Sequence, residues 1–179
     1  MNKKLRDLLS TSLFLLIVMA VTFLVVTFVG QRTKVSGSSM EPMLSHGDNL
    51  IVDKISYTFG EPNRFDIVVF PFRYAERTYF IKRVIGLPGE TVFIDEDGTI
   101  YIDGEVLTEH YGKEVILDPG RAYEPITLGP DEYFVLGDNR NNSSDSRDPS
   151  VGNIHKSEFL GKAWMRIWPL SRMGMIKHQ

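Results

Sequence analysis

Two patterns of hydrophobic residues divide this chain. Residues 13–29 form an apolar run without a charged residue, and Lys3, Lys4 and Arg6 precede it. Together with residues 8–12, the run reaches the roughly 20 residues that cross the hydrocarbon core of a bilayer. Beyond it, short apolar or alternating segments are separated by glycine, proline and aspartate. We therefore predict one N-terminal helix followed by a domain of short strands.

The apolar run is interpreted as an uncleaved membrane anchor. A secretory signal peptide has a shorter apolar region, of about 7–15 residues, and ends at a small-x-small cleavage site. Residues 29–32 (Val-Gly-Gln-Arg) lack that pattern. Because basic residues favour the cytoplasmic side, we expect residues 1–7 in the cytoplasm, residues 8–30 in the membrane and residues 31–179 outside. This is a single-pass type II topology.

Segments rich in β-branched and aromatic residues predict the strands of the second part. These segments are residues 50–52, 65–72, 77–85, 91–95, 99–102, 105–107 and 132–136. Asp-Gly pairs at residues 97–98 and 103–104 are typical of hairpin turns, whereas residues 113–130 are expected to be irregular. Residues 159–168 supply further core-forming side chains. We expect a mainly β fold, an antiparallel β-sheet domain with a hairpin-rich excursion at about residues 90–130.

Composition excludes several classes of function. Without the anchor, roughly 145 residues remain, which is enough for one domain with a hydrophobic core. The net charge of −3 gives no indication of nucleic-acid binding, and the absence of cysteine excludes disulfides, thiolate metal sites and a cysteine nucleophile. The histidines form no zinc-binding pattern, and they are His46, His110, His155 and His178. No metal and no cofactor is indicated.

Residues 35–44 contain a serine that could act as a nucleophile. The stretch combines Gly37 and Pro42 with three serines, which are Ser36, Ser38 and Ser39. Glycine allows a positive φ or the close approach of a ligand, and proline fixes its own φ, so the turn is constrained. Taken alone, the stretch could equally be a polar linker that leaves a membrane segment.

The predicted strand at residues 77–85 places a lysine among apolar neighbours. If its side chains alternate, Phe80, Lys82 and Val84 share one face, which could be buried. Desolvation lowers the pKa of a buried lysine, and a neutral amine can take a proton from a serine hydroxyl. The alternative is that Lys82 and its neighbour Arg83 extend to solvent.

Three blocks of sequence together resemble the type I signal peptidase family. They are residues 39–42 (Ser-Met-Glu-Pro), residues 79–89 (Tyr-Phe-Ile-Lys-Arg-Val-Ile-Gly-Leu-Pro-Gly) and residues 137–147 (Gly-Asp-Asn-Arg-Asn-Asn-Ser-Ser-Asp-Ser-Arg). Residues 47–48 and 64–70 fit the same pattern. The blocks occur in the family's order behind an N-terminal apolar run, and they span most of the predicted domain.

This resemblance implies a membrane-bound serine endopeptidase that removes signal peptides from exported preproteins with a Ser–Lys dyad. Ser39, which directly precedes Met-x-Pro, matches the nucleophile, and Lys82 matches the general base. The oxyanion would be bound by backbone N–H groups, that of Ser39 among them. Some family members carry an oxyanion-binding serine where this chain has Gly37, and whether Ser36 or Ser38 substitutes for it is left open.

The resemblance also implies supporting residues in the third block. Ser143 matches a hydroxyl that helps to orient the lysine. Asp145 and Arg147 match an ion pair that supports the loop, and Gly137 matches a close approach of the backbone to the site. Taken alone, the polar sequence of residues 137–152 could also be a solvated loop.

Two partners follow from the resemblance, namely preproteins with N-terminal signal peptides and the lipid bilayer. The catalytic domain would lie on the extracytoplasmic side of the cell membrane, where an extended substrate could add to a strand edge. Trp164, Trp168 and Phe72 could contact lipid headgroups, although core packing is expected for each.

Three alternative functions remain open at this point. One is a catalytically inactive, membrane-tethered binding module of the same fold. Another is a Ser–Lys protein that cuts only itself. The third is a Ser-His-Asp triad that uses His46, although nothing in the sequence places this histidine beside the Ser39 hydroxyl.

Overall fold

The computed structural model describes residues 3–24 and 30–177. The first range forms the helix α1 (Lys3–Leu24), in agreement with the predicted N-terminal helix. Residues 25–29, the end of the predicted anchor, lie outside the described residues. In the part of the chain that is described, no helix is both long enough and apolar enough to cross a membrane.

The remainder is mainly β, as predicted. One short helix, α2 (Ser56–Phe59), accompanies strands that are, in chain order, β1 (Gly30–Lys34), β2 (Asn49–Asp53), β3 (Ile67–Pro71), β4 (Tyr79–Gly86), β5 (Thr91–Ile94), β6 (Ile100–Ile102), β7 (Glu105–Val106), β8 (Ile126–Thr127), β9 (Glu132–Leu136), β10 (Ile154–His155), β11 (Gly161–Trp168) and β12 (Gly174–Met175). Each predicted strand segment overlaps one of these strands. The pairings between them are antiparallel.

The strands form two sheets. The larger is 8-stranded in the order β1-β2-β11-β3-β4-β9-β10, with β12 paired to β11, and the smaller is 4-stranded in the order β7-β6-β5-β8. The smaller sheet accounts for the predicted hairpin-rich excursion. Strand β4 crosses the middle of the larger sheet, because β3 pairs along its first part and β9 along its last part.

Five strands were not predicted from the sequence, and one of them, β11, lies within residues 159–168, where only core-forming side chains were expected. β1 (Gly30–Lys34) is polar apart from its glycine, and it is ordered by its full-length pairing with β2 rather than by an apolar face of its own. β8, β10 and β12 are two residues long, which is too short for an alternating pattern to show.

Three groups of buried apolar residues form the core. The first packs Met40 and Leu44 against β2, β3 and β4, and so places the serine-rich turn on the larger sheet. The second joins the two sheets through residues such as Ile85 and Val92. The third includes Val84 and lies along β3, β4 and β9. The hydrophobic effect therefore fixes both the serine turn and β4.

The expectation of core packing is wrong for both tryptophans. Trp164 is 47% exposed and Trp168 is 54% exposed, because their side chains project from β11 towards solvent. Phe72 is partly buried and packs on Phe80 with ring centroids 4.6 Å apart, as expected for a core residue.

Candidate active site

Two anchored ends hold the turn that carries Ser39. On one side, the Val35 N–H donates to the Asp48 carbonyl oxygen at 2.8 Å. On the other, Met40 and Leu44 are buried, and the Leu44 N–H donates to the Met40 carbonyl oxygen at 2.8 Å. Ser39 lies between these anchors and keeps a partly exposed side chain.

Strand β4 brings Lys82 to Ser39. The lysine pairs with Val68 of β3, and only 3% of its surface is exposed. The expected burial of its face is therefore confirmed, and the opposite face of β4, which carries Arg83, is buried as well. Its Nζ donates to Ser39 Oγ at 2.9 Å and to the Ile81 carbonyl oxygen at 3.2 Å. It also lies 4.9 Å from the centre of the Phe80 ring. An amine and an alcohol are thus in hydrogen-bonding contact in a largely apolar setting.

Burial lowers the pKa of the Lys82 amine to about 8, from an ordinary value of 10.5. The cause is desolvation, which disfavours the charged ammonium. Asp145 and Asp138 oppose the change through their negative charges. A substantial fraction of the amine is therefore neutral at mildly alkaline pH, and only the neutral form can accept a proton from Ser39.

The third sequence block clamps the serine turn. The Asn139 N–H donates to the Ser39 carbonyl oxygen at 3.0 Å, and its side-chain amide donates to the Ser38 carbonyl oxygen at 3.1 Å. The Asn142 amide donates to Ser38 Oγ at 2.9 Å. These asparagines were not singled out from the sequence, because contacts between distant loops leave no periodic signal.

The ion pair that the family resemblance implies is present in this loop. Arg147 Nε donates to Asp145 Oδ1 and Arg147 Nη2 donates to Asp145 Oδ2, both at 2.9 Å. Asp145 also accepts the Gly137 N–H at 3.1 Å. A Cβ at Gly137 would lie 2.5 Å from the Ser39 carbonyl oxygen and closer still to the Ser143 hydroxyl, so the backbone does approach the site closely.

The structure does not bring Ser143 into hydrogen-bonding contact with Lys82. Its Oγ is buried and has no hydrogen-bond partner within the described residues. The acceptors of the lysine are Ser39 and Ile81 instead. An orienting role for Ser143 therefore stays a prediction.

A buried ion pair lies beside the dyad and was missed in the sequence. Arg83 Nε and Nη2 donate to the two carboxylate oxygens of Asp138 at 2.8 and 2.7 Å, and the Arg83 guanidinium lies 3.8 Å from the Tyr111 ring centre. The alternative that Arg83 extends to solvent is wrong, since it is fully buried. Its place on an apolar strand was the available signal, because a buried arginine requires an acidic partner.

A groove of about 500 Å³ leads to the dyad. Residues 33–37 line it, as do residues 77–82, and Ser39 lies at one end of the first segment. Strand β3 pairs with one edge of β4, and β9 pairs with the other edge only from Arg83 onwards. On that second edge, the part from Tyr79 to Lys82 has no paired strand among residues 30–177. The groove thus has an open strand edge.

The backbone of Ser39 offers a candidate oxyanion donor. Its N–H donates to no other group in the described part of the chain. His46 makes no hydrogen bond to Ser39 there, and instead its Nδ1 accepts the Gly37 N–H at 3.2 Å. The structure therefore gives no geometry for a Ser-His-Asp triad at Ser39. Nor do residues 3–24 and 30–177 contain a group of His, Asp or Glu side chains that could hold a metal ion.

Comparison with known proteins assigns the family. A sequence model described as signal peptidase, peptidase S26, matches residues 8–168, which is most of the chain.

The chain belongs to the signal peptidase family, peptidase S26.

Relatives in this family match over most of their length. The probable signal peptidase I-2 of Synechocystis is 41% identical over 155 residues, which cover 84% of this chain and 68% of the relative. Signal peptidase I of Leptolyngbya laminosa is 41% identical over 157 residues, which cover 84% and 74%. A crystal structure of signal peptidase I from Enterococcus faecalis is 35% identical, with a TM-score of 0.48, and covers 57% of this chain and 96% of that one.

These relatives make the chain a peptidase of the signal peptidase I type, a serine protease that removes signal peptides. The inactive binding module and the self-cleaving protein, which the sequence left open, are accordingly set aside.

Proposed function

We propose that Ser39 and Lys82 are the catalytic dyad of this signal peptidase, with Ser39 as nucleophile and Lys82 as general base. The observation that carries the proposal is the 2.9 Å between Lys82 Nζ and Ser39 Oγ, combined with the burial of the amine. A nucleophile in contact with a base of lowered pKa is the arrangement that activates a serine without histidine.

The reaction divides into two acyl transfers. Ser39 Oγ attacks the scissile carbonyl carbon while its proton moves to the neutral Nζ of Lys82. The carbonyl oxygen becomes an oxyanion, which the Ser39 N–H stabilises. The Lys82 ammonium then protonates the leaving amine, and the mature protein departs. Water gives a proton to the neutral Lys82 amine as it attacks the ester carbonyl. Lys82 then returns this proton to Ser39 Oγ as the ester bond to Oγ breaks, and the signal peptide leaves with a new carboxyl group.

The supporting residues act by holding this geometry. Asp145 joins Arg147 to the Gly137 N–H, and Gly137 leaves room for the Ser39 carbonyl. We assign positioning roles to these three residues on that basis. Ser143 has an unused buried hydroxyl beside Gly137, and we assign it the orientation of Lys82 once substrate is bound.

The groove favours one direction for the substrate. Residues 33–37 run towards Ser39 and residues 77–81 run towards Lys82, so both segments approach the dyad in the same chain direction. β1 follows the apolar N-terminal run, and a signal peptide with its own apolar segment in the bilayer would enter from that end. An extended preprotein would therefore run parallel to both segments and pair with the open edge of β4.

The floor of the groove is apolar. Val35, Met40 and Ile81 are buried and line it, and they leave the substrate side chains next to the cut in an apolar setting. An apolar floor favours uncharged substrate side chains next to the cut, whereas their small size is implied by the family resemblance alone.

Membrane anchoring completes the proposal. Residues 8–30 form the anchor, residues 1–7 remain in the cytoplasm, and residues 31–179 form the extracytoplasmic catalytic domain. The support is an uncharged run at residues 13–29 and the high exposure of apolar side chains in the helix before β1. Exposed Trp164 and Trp168, with Leu170, Met173 and Met175, would contact the bilayer surface; Trp at a membrane interface is common.

The proposal is tested with the purified full chain in detergent and a preprotein whose cleavage is followed by gel and mass spectrometry. Wild-type protein should release the mature chain, and Ser39→Ala should bind the preprotein without cutting it. Undiminished cleavage by Ser39→Ala would contradict the assignment of the nucleophile. If the wild-type protein cuts no signal-peptide substrate, the result would favour the alternative of an inactive binding module.

A further inference from the structure

The segment between Val35 and Ser38 has very few backbone contacts. Val35 is held on both sides, since its N–H donates to Asp48 and its carbonyl accepts the Gly47 N–H at 2.9 Å. Ser38 is held by the Glu41 N–H, which donates to its carbonyl oxygen at 3.1 Å. The two residues between them line the substrate groove and are exposed.

A single hydrogen bond fixes the main chain of these two residues. The Gly37 N–H donates to Nδ1 of His46 at 3.2 Å, and no other described group bonds to the backbone of Ser36 or Gly37. Gly37 has a φ of +99°, and a Cβ there would meet no atom within 4 Å. Apart from the contact with His46, neither packing nor another hydrogen bond from the described residues holds this backbone.

This contact requires a neutral imidazole. A hydrogen bond to Nδ1 is possible only in the tautomer that carries its proton on Nε2, whereas a protonated histidine is a donor at both nitrogens. Histidine side chains change charge between about pH 5 and 8. Protonation would therefore place two donors against each other and release the segment.

We propose that His46 is a positioning residue, whose neutral imidazole holds the Gly37 backbone two residues before the nucleophile and releases it when protonated. The inference rests on the proposed role of Ser39. It also accounts for a departure from the family, because Gly37 stands where some members carry an oxyanion-binding serine. Because Gly37 has no side chain, the donors to the oxyanion must come from elsewhere, such as the Ser39 N–H, and His46 would hold the backbone that leads to it.

Other charged groups lie around the same turn. Asp48 is buried and is paired with Arg172 at 2.8 Å and with Arg166 at 3.2 Å. Arg172 also donates to Ser45 Oγ at 3.1 Å, next to His46 in the chain. Lys34 ends β1 at the lip of the groove. The Asp48 carboxylate is thus shared by the guanidinium groups of Arg166 and Arg172, and the named charges around this turn are mainly positive.

Two substitutions separate the hydrogen bond from the titration. His46→Asn places Oδ1 where Nδ1 lies, so it can accept the Gly37 N–H but does not change charge. His46→Leu keeps a similar size and loses the acceptor. His110→Leu is the matched control, since His110 is an exposed histidine of the excursion. Thermal unfolding of each full-length variant checks that the fold is intact.

The first readout is the pH dependence of kcat/KM. Lys82 alone gives log kcat/KM a slope of one at acid pH, and a second group whose protonation only weakens activity adds a step of limited size to that line. Because release of the Gly37 backbone costs only a limited factor, we expect wild type and His110→Leu to show, besides the fall that Lys82 gives, an additional fall of about 3- to 10-fold at acid pH, and we expect His46→Asn to lack it. His46→Leu should lose about 3- to 10-fold at alkaline pH, the value of one ordinary hydrogen bond, with His46→Asn restoring most of it.

The second readout does not depend on activity. In ¹⁵N-labelled full-length Ser39→Ala, the Gly37 amide resonance should shift with the titration of His46, and this shift should vanish in the same protein with His46→Asn. If the Gly37 resonance does not respond to pH, or if His46→Asn keeps the additional fall of kcat/KM at acid pH, the inference is wrong. A protein that shows the resonance shift but cuts no preprotein would instead contradict the proposed function.

Discussion

Arg83 and Asp138 form a fully buried, doubly hydrogen-bonded ion pair one residue away from Lys82 in β4. Burial raises the pKa of the Asp138 carboxyl, and Arg83 opposes this change through its hydrogen bonds and charge. The pair ties β4 to the loop that clamps Ser39, because Asp138 directly precedes Asn139. The buried ion pair therefore connects the strand that carries Lys82 to the loop that holds Ser39.

Breaking this pair should destabilise the protein strongly. Arg83→Met or Asp138→Leu leaves one uncompensated buried charge, which typically costs about 3–5 kcal/mol in the free energy of unfolding. Arg73→Met is the control, since the Arg73–Glu158 pair is much more exposed and should contribute about 0–1 kcal/mol. The double variant Arg83→Met/Asp138→Leu should recover much of the loss. Urea unfolding checks this, and equal effects of Arg83→Met and Arg73→Met would contradict it.

Lys82→Met should stabilise the protein at neutral pH while abolishing cleavage. The folded-state pKa of about 8 lies below the ordinary 10.5, so from pH 8 to 10.5 the unfolded chain binds a proton that the folded chain does not. Wild-type stability therefore rises through this window relative to Lys82→Met, by roughly 3 kcal/mol. Below pH 8 both states are protonated and the variant keeps its full advantage. Unfolding at pH 7 and pH 10 measures this, and a difference independent of pH would count against the burial of a titrating amine.

Lys82→Arg separates charge from proton transfer. Arginine keeps the positive charge but cannot lose its proton at working pH, so cleavage should fall to the level of Ser39→Ala. Substantial turnover by Lys82→Arg in the detergent assay would remove the lysine from the role of general base.

Ser39 should be distinguishable from its two neighbours by alanine substitution. Ser36 makes no hydrogen bond within the described residues and Ser38 Oγ accepts only the Asn142 amide, so either alanine variant should retain most activity. Ser39→Ala should be inactive. Loss of activity in Ser36→Ala equal to that in Ser39→Ala would show that the Ser36 hydroxyl takes a direct part.

Gly137→Ala should impair catalysis through the backbone. The new methyl group would collide with the Ser39 carbonyl oxygen and with Ser143, so we expect kcat to fall at least about tenfold as the serine moves. Gly174→Ala in β12 is the control, because a Cβ there meets nothing within 4 Å. Unchanged kcat in Gly137→Ala would show that the site tolerates the displacement.

Alternation along the strands explains why part of the site could be predicted. The pattern around Lys82 indicated a buried lysine, and the structure confirms both the strand and the burial. The segments with β-branched and aromatic residues likewise gave the strands of both sheets. Local sequence carries this information because apolar and β-branched residues flank Lys82, as is typical of a buried strand, and β4 is buried on both faces from Ile81 onwards.

Contacts between distant segments could not be predicted in the same way. Asn139 and Asn142 lie about one hundred residues from the turn they hold, and they stand in a polar run that resembles any solvated loop. Trp164 and Trp168 were expected in the core because aromatic residues usually are buried, yet tertiary packing leaves the outer face of β11 uncovered. These contacts and exposures depend on which surfaces meet in the folded protein, and local sequence patterns do not show which surfaces will meet.

The most direct test of the account is the pKa of the Lys82 amine itself. Full-length protein with ¹³Cε-labelled lysine can be titrated by NMR in detergent, and Lys82→Arg identifies the resonance. A pKa near 8 is expected, because burial in the apolar end of the groove disfavours the ammonium. A pKa near the ordinary 10.5 would mean that the amine is charged at working pH, and it would contradict the proposal that Lys82 activates Ser39.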